Sequence, residues 1–273
     1  KWPLLATVAL IIMFIGLANY MNDESNLTLT YTGLALLLLV VYGWFSYVVN
    51  ESEGGLYDAQ VDMSFRWGMA WFIFSEVMFF AAFFGALYYA RELSLPWLAG
   101  EGSKVSTNQE LWPTFENVWP SNGPANVGGE FIVMKAAGIP ALNTIILLIS
   151  GLTVTWAHHG LKEGKRNQLI LGLTATVLLG FIFVGFQAYE YSHAYNDLNL
   201  KMTSGMYGST FYMLTGFHGF HVTLGAIMLT VILFRCIRGH FTNENHFGFE
   251  AVAWYWHFVD VVWLGLFVFV YWL

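Results

Sequence analysis

Several places along this chain set ionisable or metal-ligating side chains inside long apolar runs. Near the centre of a membrane span such a group costs roughly 2.5–3.5 kcal/mol on insertion scales, so each needs a partner or a purpose. Glu76 stands in FIFSEVMFFAAFFGALYY, with phenylalanines on both sides. A carboxyl there could relay protons or face a cleft between helices; the alternative is a structural glutamate closed by hydrogen bonds. His257 and Asp260 stand three apart in AWYWHFVDVVWLGLFVFVYWL, which stacks them on one helical face. An aspartate so placed holds an imidazole in one tautomer, as carboxylates do behind ligand histidines. The alternative is a polar pair knitting helices together, and Trp254, Trp256 and Trp263 on the same helix favour it.

His218 and His221 repeat the three-residue spacing in GSTFYMLTGFHGFHVTLGA and could suit a metal. Thr215, Gly219 and Thr223 form a small-residue stripe in the same stretch, which lets helices approach closely and explains more of it than ligation does. Depth weighs against a shared metal: His221 is placed about 21 Å from the inner end of its helix and His257 about 10 Å from the inner end of the next, at 1.5 Å per residue. Glu76 falls roughly 15 Å from its own inner end by the same measure. His158 and His159 close a span in TWAHHGLKEGKR, and Glu190 ends the next; both sites read as interfacial. Arg235, Arg238 and His240 form a basic cluster, with Arg66 at the same level. Arginines at such a depth suit lipid phosphates, and they equally suit plain positive-inside topology. The single cysteine, Cys236, excludes an internal disulfide and any site built on two thiolates, iron–sulfur and dinuclear copper centres included.

The elements that must hold these residues are membrane helices. The 273 residues are 57% hydrophobic and 18% aromatic with only 11% charged, an integral-membrane composition. The alternation of barrel strands is missing. The formal charge of -7 comes from few groups, and nucleic acid is not an expected partner. Apolar runs predict spans at about 3–20, 27–49, 66–90, 139–158, 169–190, 206–235 and 250–272. The first lacks a small-residue cleavage site, and Asn19 to Asn26 reads as a polar turn, so a retained helix is expected. With the N-terminus inside, the inner side holds Lys1, Arg66, Lys162, Lys165, Arg166, Arg235 and Arg238, and the outer side Arg91, Lys104, Lys135 and Lys201; that bias predicts N-in and C-out. The outer stretch at about 91–138, with Trp112-Pro113, Trp119-Pro120 and Gly128-Gly129, reads as a small extramembrane cap or a connector resting on headgroups. No internal repeat, phosphate-binding glycine loop or Ser/His/Asp constellation is present.

The words WYWHFVDVVW, YGSTFYMLTGFHGFHV, HFGFEA, SEVMFF and TWAHH, with WPL at the start and NES after the second span, together closely resemble subunit III of haem-copper cytochrome c oxidases. They fall in order on five of the seven predicted spans and on the loop before the last. Only the outer stretch lacks correspondence, and its length looks bacterial rather than mitochondrial.

The resemblance implies an all-α integral membrane protein of seven transmembrane helices. The first two, residues 1–60, form a V-shaped lipid cleft with a bundle of the other five, residues 61–273. It implies a subunit without a redox centre in a proton-pumping oxidase that reduces oxygen to water. The haems and copper belong to partner subunits: subunit I is the direct neighbour, subunit II completes the core, and cytochrome c binds elsewhere in the complex. Structural phospholipids fill the cleft, and the subunit supports oxygen access and proton uptake and protects the enzyme during turnover. Carried over by position, Glu76 matches a buried carboxyl near the cleft, Arg66, Arg235 and His240 match basic positions near inner headgroups, and Trp44 matches an aromatic lining the cleft. No residue is expected to be catalytic or to bind a metal. In WFSYVVNESEGGLYDAQ many members carry basic residues around Asn50 and a histidine near Tyr57; this chain has neither, so the headgroup grip of the second helix lacks its cations. The expected setting is a bacterial inner membrane. On this reading His257 and Asp260 are a buried structural clamp. An independent proton channel and a haem or metal enzyme are the competing classes, separable by proton flux and by absorption of the isolated chain.

Overall fold

A computed structural model describes residues 1–22 and 26–273; the polar turn read at Asn19 to Asn26 lies partly outside them. Among the described residues, seven helices are long and apolar enough to cross a membrane, and no strand occurs. The chain divides into two compact units, Lys1–Phe65 and Arg66–Leu273.

In the first unit, α1 (Trp2–Met21) opens with Pro3 in its first turn, where proline's missing N–H costs nothing. α2 (Thr28–Glu53) follows, its first residue donating its N–H to Asn26 Oδ1 at 2.8 Å. The two pack backbone to backbone: a Cβ on Gly16 would strike the Thr30 backbone, and one on Gly33 the Met13 backbone. Trp2 lies across Gly43 and meets Tyr47 edge-on, centroids 5.4 Å apart. After α2, Gly55 turns the chain at a φ of 69°, and Asp58 Oδ1 accepts the Val61 N–H at 2.9 Å to start α3 (Ala59–Tyr88). In this connector the Tyr57 hydroxyl donates to Glu51 Oε2 at 2.9 Å. Burial first, then the bond to and charge of Glu51, push the phenol up to about 12.

The second unit continues α3 through a π-helical stretch, Tyr89–Ser94, into the short α4 (Leu95–Leu98) and, after a 3-10 turn, α5 (Val105–Leu111). The segment that follows, to about residue 138, folds onto itself and onto later parts of the chain. Trp112 Nε1 donates to Leu98 O at 2.7 Å, and Phe131 stacks on Tyr207 with centroids 5.5 Å apart. The Asn199 amide donates to Gly128 O and Glu130 O, and Ile132 N–H to Leu198 O.

Four long helices carry the core: α6 (Ile139–Lys162), α7 (Arg166–Asn196), α8 (Gly205–Arg238) and α9 (Phe247–Leu266), the last prolonged by a π-helical stretch, Phe267–Trp272. Trp256, fully buried on α9, fills a slot that glycine makes possible. A Cβ on Gly180 of α7 or Gly225 of α8 would stand 2.8 Å from its indole, and its Nε1 donates to Ser150 of α6 at 2.9 Å. α8 ends at Gly239, whose φ of 78° is left-handed, a conformation that favours glycine.

The helices outrun the predicted spans at many ends. α3 begins at Ala59 rather than near 66, and α8 runs to Arg238. Apolar runs stop where water begins, whereas backbone hydrogen bonding carries a helix past that border.

Candidate functional site

Most residues singled out by sequence fall into two levels of the second unit; Glu190, near the end of α7, and Trp44 stand apart. Trp44 is on α2, 43% exposed and tilted against Phe45 at 6.1 Å.

At mid-helix, Glu76 on α3 meets His221 on α8, with Oε2 and Nε2 3.0 Å apart. His221 donates through Nδ1 to Phe217 O at 2.6 Å, since a carbonyl can only accept. A neutral ring then leaves Nε2 to accept from a protonated carboxyl, while a charged ring donates to a carboxylate; either way one proton is shared along the contact. Phe79 and Phe80 enclose the ring, with centroids 5.9 and 5.1 Å away. The sequence reading missed this pairing because its boundaries placed the two residues at unequal depths. Measured along the full helices, from Ala59 and from Arg238, both lie about 26 Å in at 1.5 Å per residue. The actual helix ends would have been the signal.

His257 Nδ1 and Asp260 Oδ2 are 3.5 Å apart on α9, and His257 Nε2 reaches Thr155 Oγ1 of α6 at 3.2 Å. Gly151 of α6 leaves room for the aspartate, since a Cβ there would collide with Asp260 Oδ2. The aspartate is therefore fitted against α6, whereas the His257 side chain is 46% exposed, so only half of the expected clamp is buried. His218 points elsewhere: its Nε2 donates to Val259 O at 3.2 Å, and Trp263 lies 5.1 Å from its ring. His218 and His221 thus use separate partners despite their spacing. The expected stripe is loose at Gly219, where a Cβ would meet Gln187 Cγ only at 3.9 Å; close helix approach occurs instead at Gly180 and Gly225, against Trp256, and at Gly172 against Ala157.

Glu190, read as interfacial, is fully buried and accepts the Tyr271 hydroxyl at 2.5 Å. Tyr271 lies on the π-helical end of α9, 81 residues after Glu190, so nothing near Glu190 in sequence announces this partner.

The second level joins helix ends. Arg66 of α3 forms an ion pair with Glu250 Oε2 in the first turn of α9. The other carboxylate oxygen, Oε1, lies 3.5 Å from His158 Nε2 of α6 and 3.4 Å from His246 Nε2. Each of the three residues offers a ligand atom within 4.8 Å of the others. His158, taken from sequence as interfacial, is thus half of a paired histidine site. His246 and Glu250 were passed over, although their i, i+4 spacing around the start of a helix was a signal. Arg235 and His240 complete the basic positions: the Arg235 guanidinium lies 4.4 Å from the Phe241 ring centroid, and His240 N–H donates to Arg235 O at 3.1 Å.

A family model, cytochrome c oxidase subunit III, matches residues 1–273. The chain belongs to this family. Curated proteins named cytochrome c oxidase subunit 3 from Tetraodon nigroviridis, Gadus morhua and Squalus acanthias are each 44% identical over 272 residues, covering 99% of this chain and 93% of the relative. Membership agrees with the seven membrane-length helices and makes the chain part of a multi-subunit respiratory oxidase. These relatives come from fishes, so they give no support to the bacterial setting suggested by the outer segment.

Proposed function

We propose that this chain is the non-redox accessory subunit of a proton-pumping cytochrome c oxidase. It stabilises the catalytic subunit I beside subunit II, holds phospholipid in a cleft lined by Trp44, uses Arg66, Arg235 and His240 near the inner headgroups, and supports oxygen access and proton uptake. The haems and copper are carried by the partners, cytochrome c docks elsewhere, and the N-terminus faces inward across an inner membrane. Residues 1–60 form the lipid-cleft arm and 61–273 the bundle.

The observation that carries this reading is that the mid-membrane ionisable groups already engage one another or a neighbouring helix. Glu76 meets His221, and His257 meets Asp260 and Thr155. A haem ligand needs an imidazole nitrogen facing open space, and a proton channel needs a continuous polar path. His218 is instead packed on Trp263 and Phe183, and phenylalanines enclose the Glu76 contact. Exposed apolar side chains along the helices, such as Phe14, Leu38, Phe74 and Phe181, suit lipid and partner helices.

The test is purification in mild detergent through a tag on this chain, with an optical spectrum and a subunit inventory. Haem absorbance and two larger membrane partners should copurify, and the haem signal should leave when the chain is stripped from them. A haem signal that stays with the isolated chain would overturn the proposal.

A further inference from the structure

The chemistry around Glu250 is incomplete as a set of hydrogen bonds. His246 is 7% exposed, and its Nδ1 lies 3.1 Å from Thr242 O. A carbonyl only accepts, so Nδ1 carries the ring proton and a neutral His246 has a bare lone pair at Nε2. That lone pair faces Glu250 Oε1 at 3.4 Å without a hydrogen bond, and His158 Nε2 faces the same oxygen at 3.5 Å, also without one. Two imidazole nitrogens and a carboxylate oxygen, from two helices and the connector before α9, therefore converge on one point without a hydrogen bond among them, and a cation accepting a lone pair from each would satisfy all three.

We infer that His158, His246 and Glu250 form a binding site for a divalent transition cation of the zinc class. The spacing fits: donors held 2.0–2.2 Å from a tetrahedral zinc lie roughly 3.3–3.6 Å apart, and two of the three separations are 3.4 and 3.5 Å. The donor set is two imidazoles and one carboxylate with no thiolate, which suits zinc rather than the all-oxygen shells of calcium or magnesium. The surroundings also fit. Thr242 O orients the His246 ring, the Phe249 ring stacks on His158 with centroids 5.3 Å apart, and Arg66 holds Glu250 by Oε2, leaving Oε1 to the cation. Three protein donors leave a fourth position for water. Arg66, a cation across the same carboxylate, lowers the affinity, so occupancy requires added metal. The site joins α3, α6 and α9, and its zinc would cross-link the helix ends without any redox chemistry.

The test uses the intact oxidase complex containing this chain, stripped with chelator, equilibrated with zinc, desalted and assayed for zinc. Wild type should retain one zinc per complex more than Glu250→Gln or His246→Ala, while His193→Ala, away from the site, should match wild type. Equal zinc in wild type and both site variants overturns the inference. Should the variants fail to assemble, the zinc absorption-edge difference between loaded and chelated wild type decides. An added shell of nitrogen and oxygen alone, at about 2.0–2.2 Å, supports the site; no added zinc, or an added sulfur shell, overturns it. Haem retention is a separate readout, so failure here leaves the accessory-subunit proposal standing.

Discussion

The α1–α2 hairpin and the α6–α9 bundle are both membrane helices, yet they cohere by different means. In the apolar windows of α1 and α2 only 11% and 6% of residues are buried, whereas the four bundle helices bury 33–50%. The hairpin relies on Gly16 and Gly33, which bring two backbones together with no side-chain hydrogen bond between the helices among the described contacts. The bundle interlocks large rings and polar bridges: Trp256 with Ser150, Trp263 with Thr144, Tyr271 with Glu190. In hydrocarbon there is no hydrophobic drive between helices, so contact quality and polar pairing decide association. A hairpin needs little of either because its short connection already holds the partners close.

Four experiments sharpen or break this contrast. The largest effect is expected from Trp256→Ala, which empties the slot between Gly180 and Gly225 and leaves Ser150 without its donor. Roughly 3–5 kcal/mol of bundle stability should be lost, read as detergent-induced unfolding of the complex, with α1–α2 spin-label distances unchanged. Gly33→Leu should do the reverse. Its side chain enters the Met13 backbone, costs about 1–3 kcal/mol and lengthens the α1–α2 distance while the bundle melts as before; an unchanged distance would mean that close backbone approach does not hold the hairpin.

Tyr271→Phe removes the hydroxyl from a fully buried carboxyl and should cost about 1–2 kcal/mol, largely restored by combining it with Glu190→Leu. The smallest effect concerns the connector. The folded chain prefers the protonated Tyr57 phenol, so this contribution is fully present below the ordinary value of 10.0 and is lost as pH rises through about 12. The ultraviolet difference between wild type and Tyr57→Phe should therefore titrate near the upper value, and Glu51→Gln should lower that midpoint; no response to Glu51→Gln would remove the hydroxyl–carboxylate bond from the account.

Much of the helical plan was legible because twenty-residue apolar runs have few other readings. Pairings were less legible. Glu76 and His221 are 145 residues apart, and only the real helix ends give them a common depth. His257 and Asp260 were readable because an i, i+3 relation is local. Glu250 escaped because nothing near it in sequence names Arg66, nearly two hundred residues earlier. Glu190 escaped for the same reason: its partner Tyr271 stands 81 residues later, on another helix.

The long segment between α5 and α6 is clasped by Asn199, whose amide holds the carbonyls of Gly128 and Glu130, positions 71 and 69 residues earlier. A ribosome adds about 5–20 residues per second, so the clasp arrives roughly 4–14 s after the segment it closes. Two further spans, α6 and α7, are made in that interval. The stretch around Gly128 and Glu130 is therefore a late-finishing part of the molecule: it emerges early and must wait for a residue not yet translated.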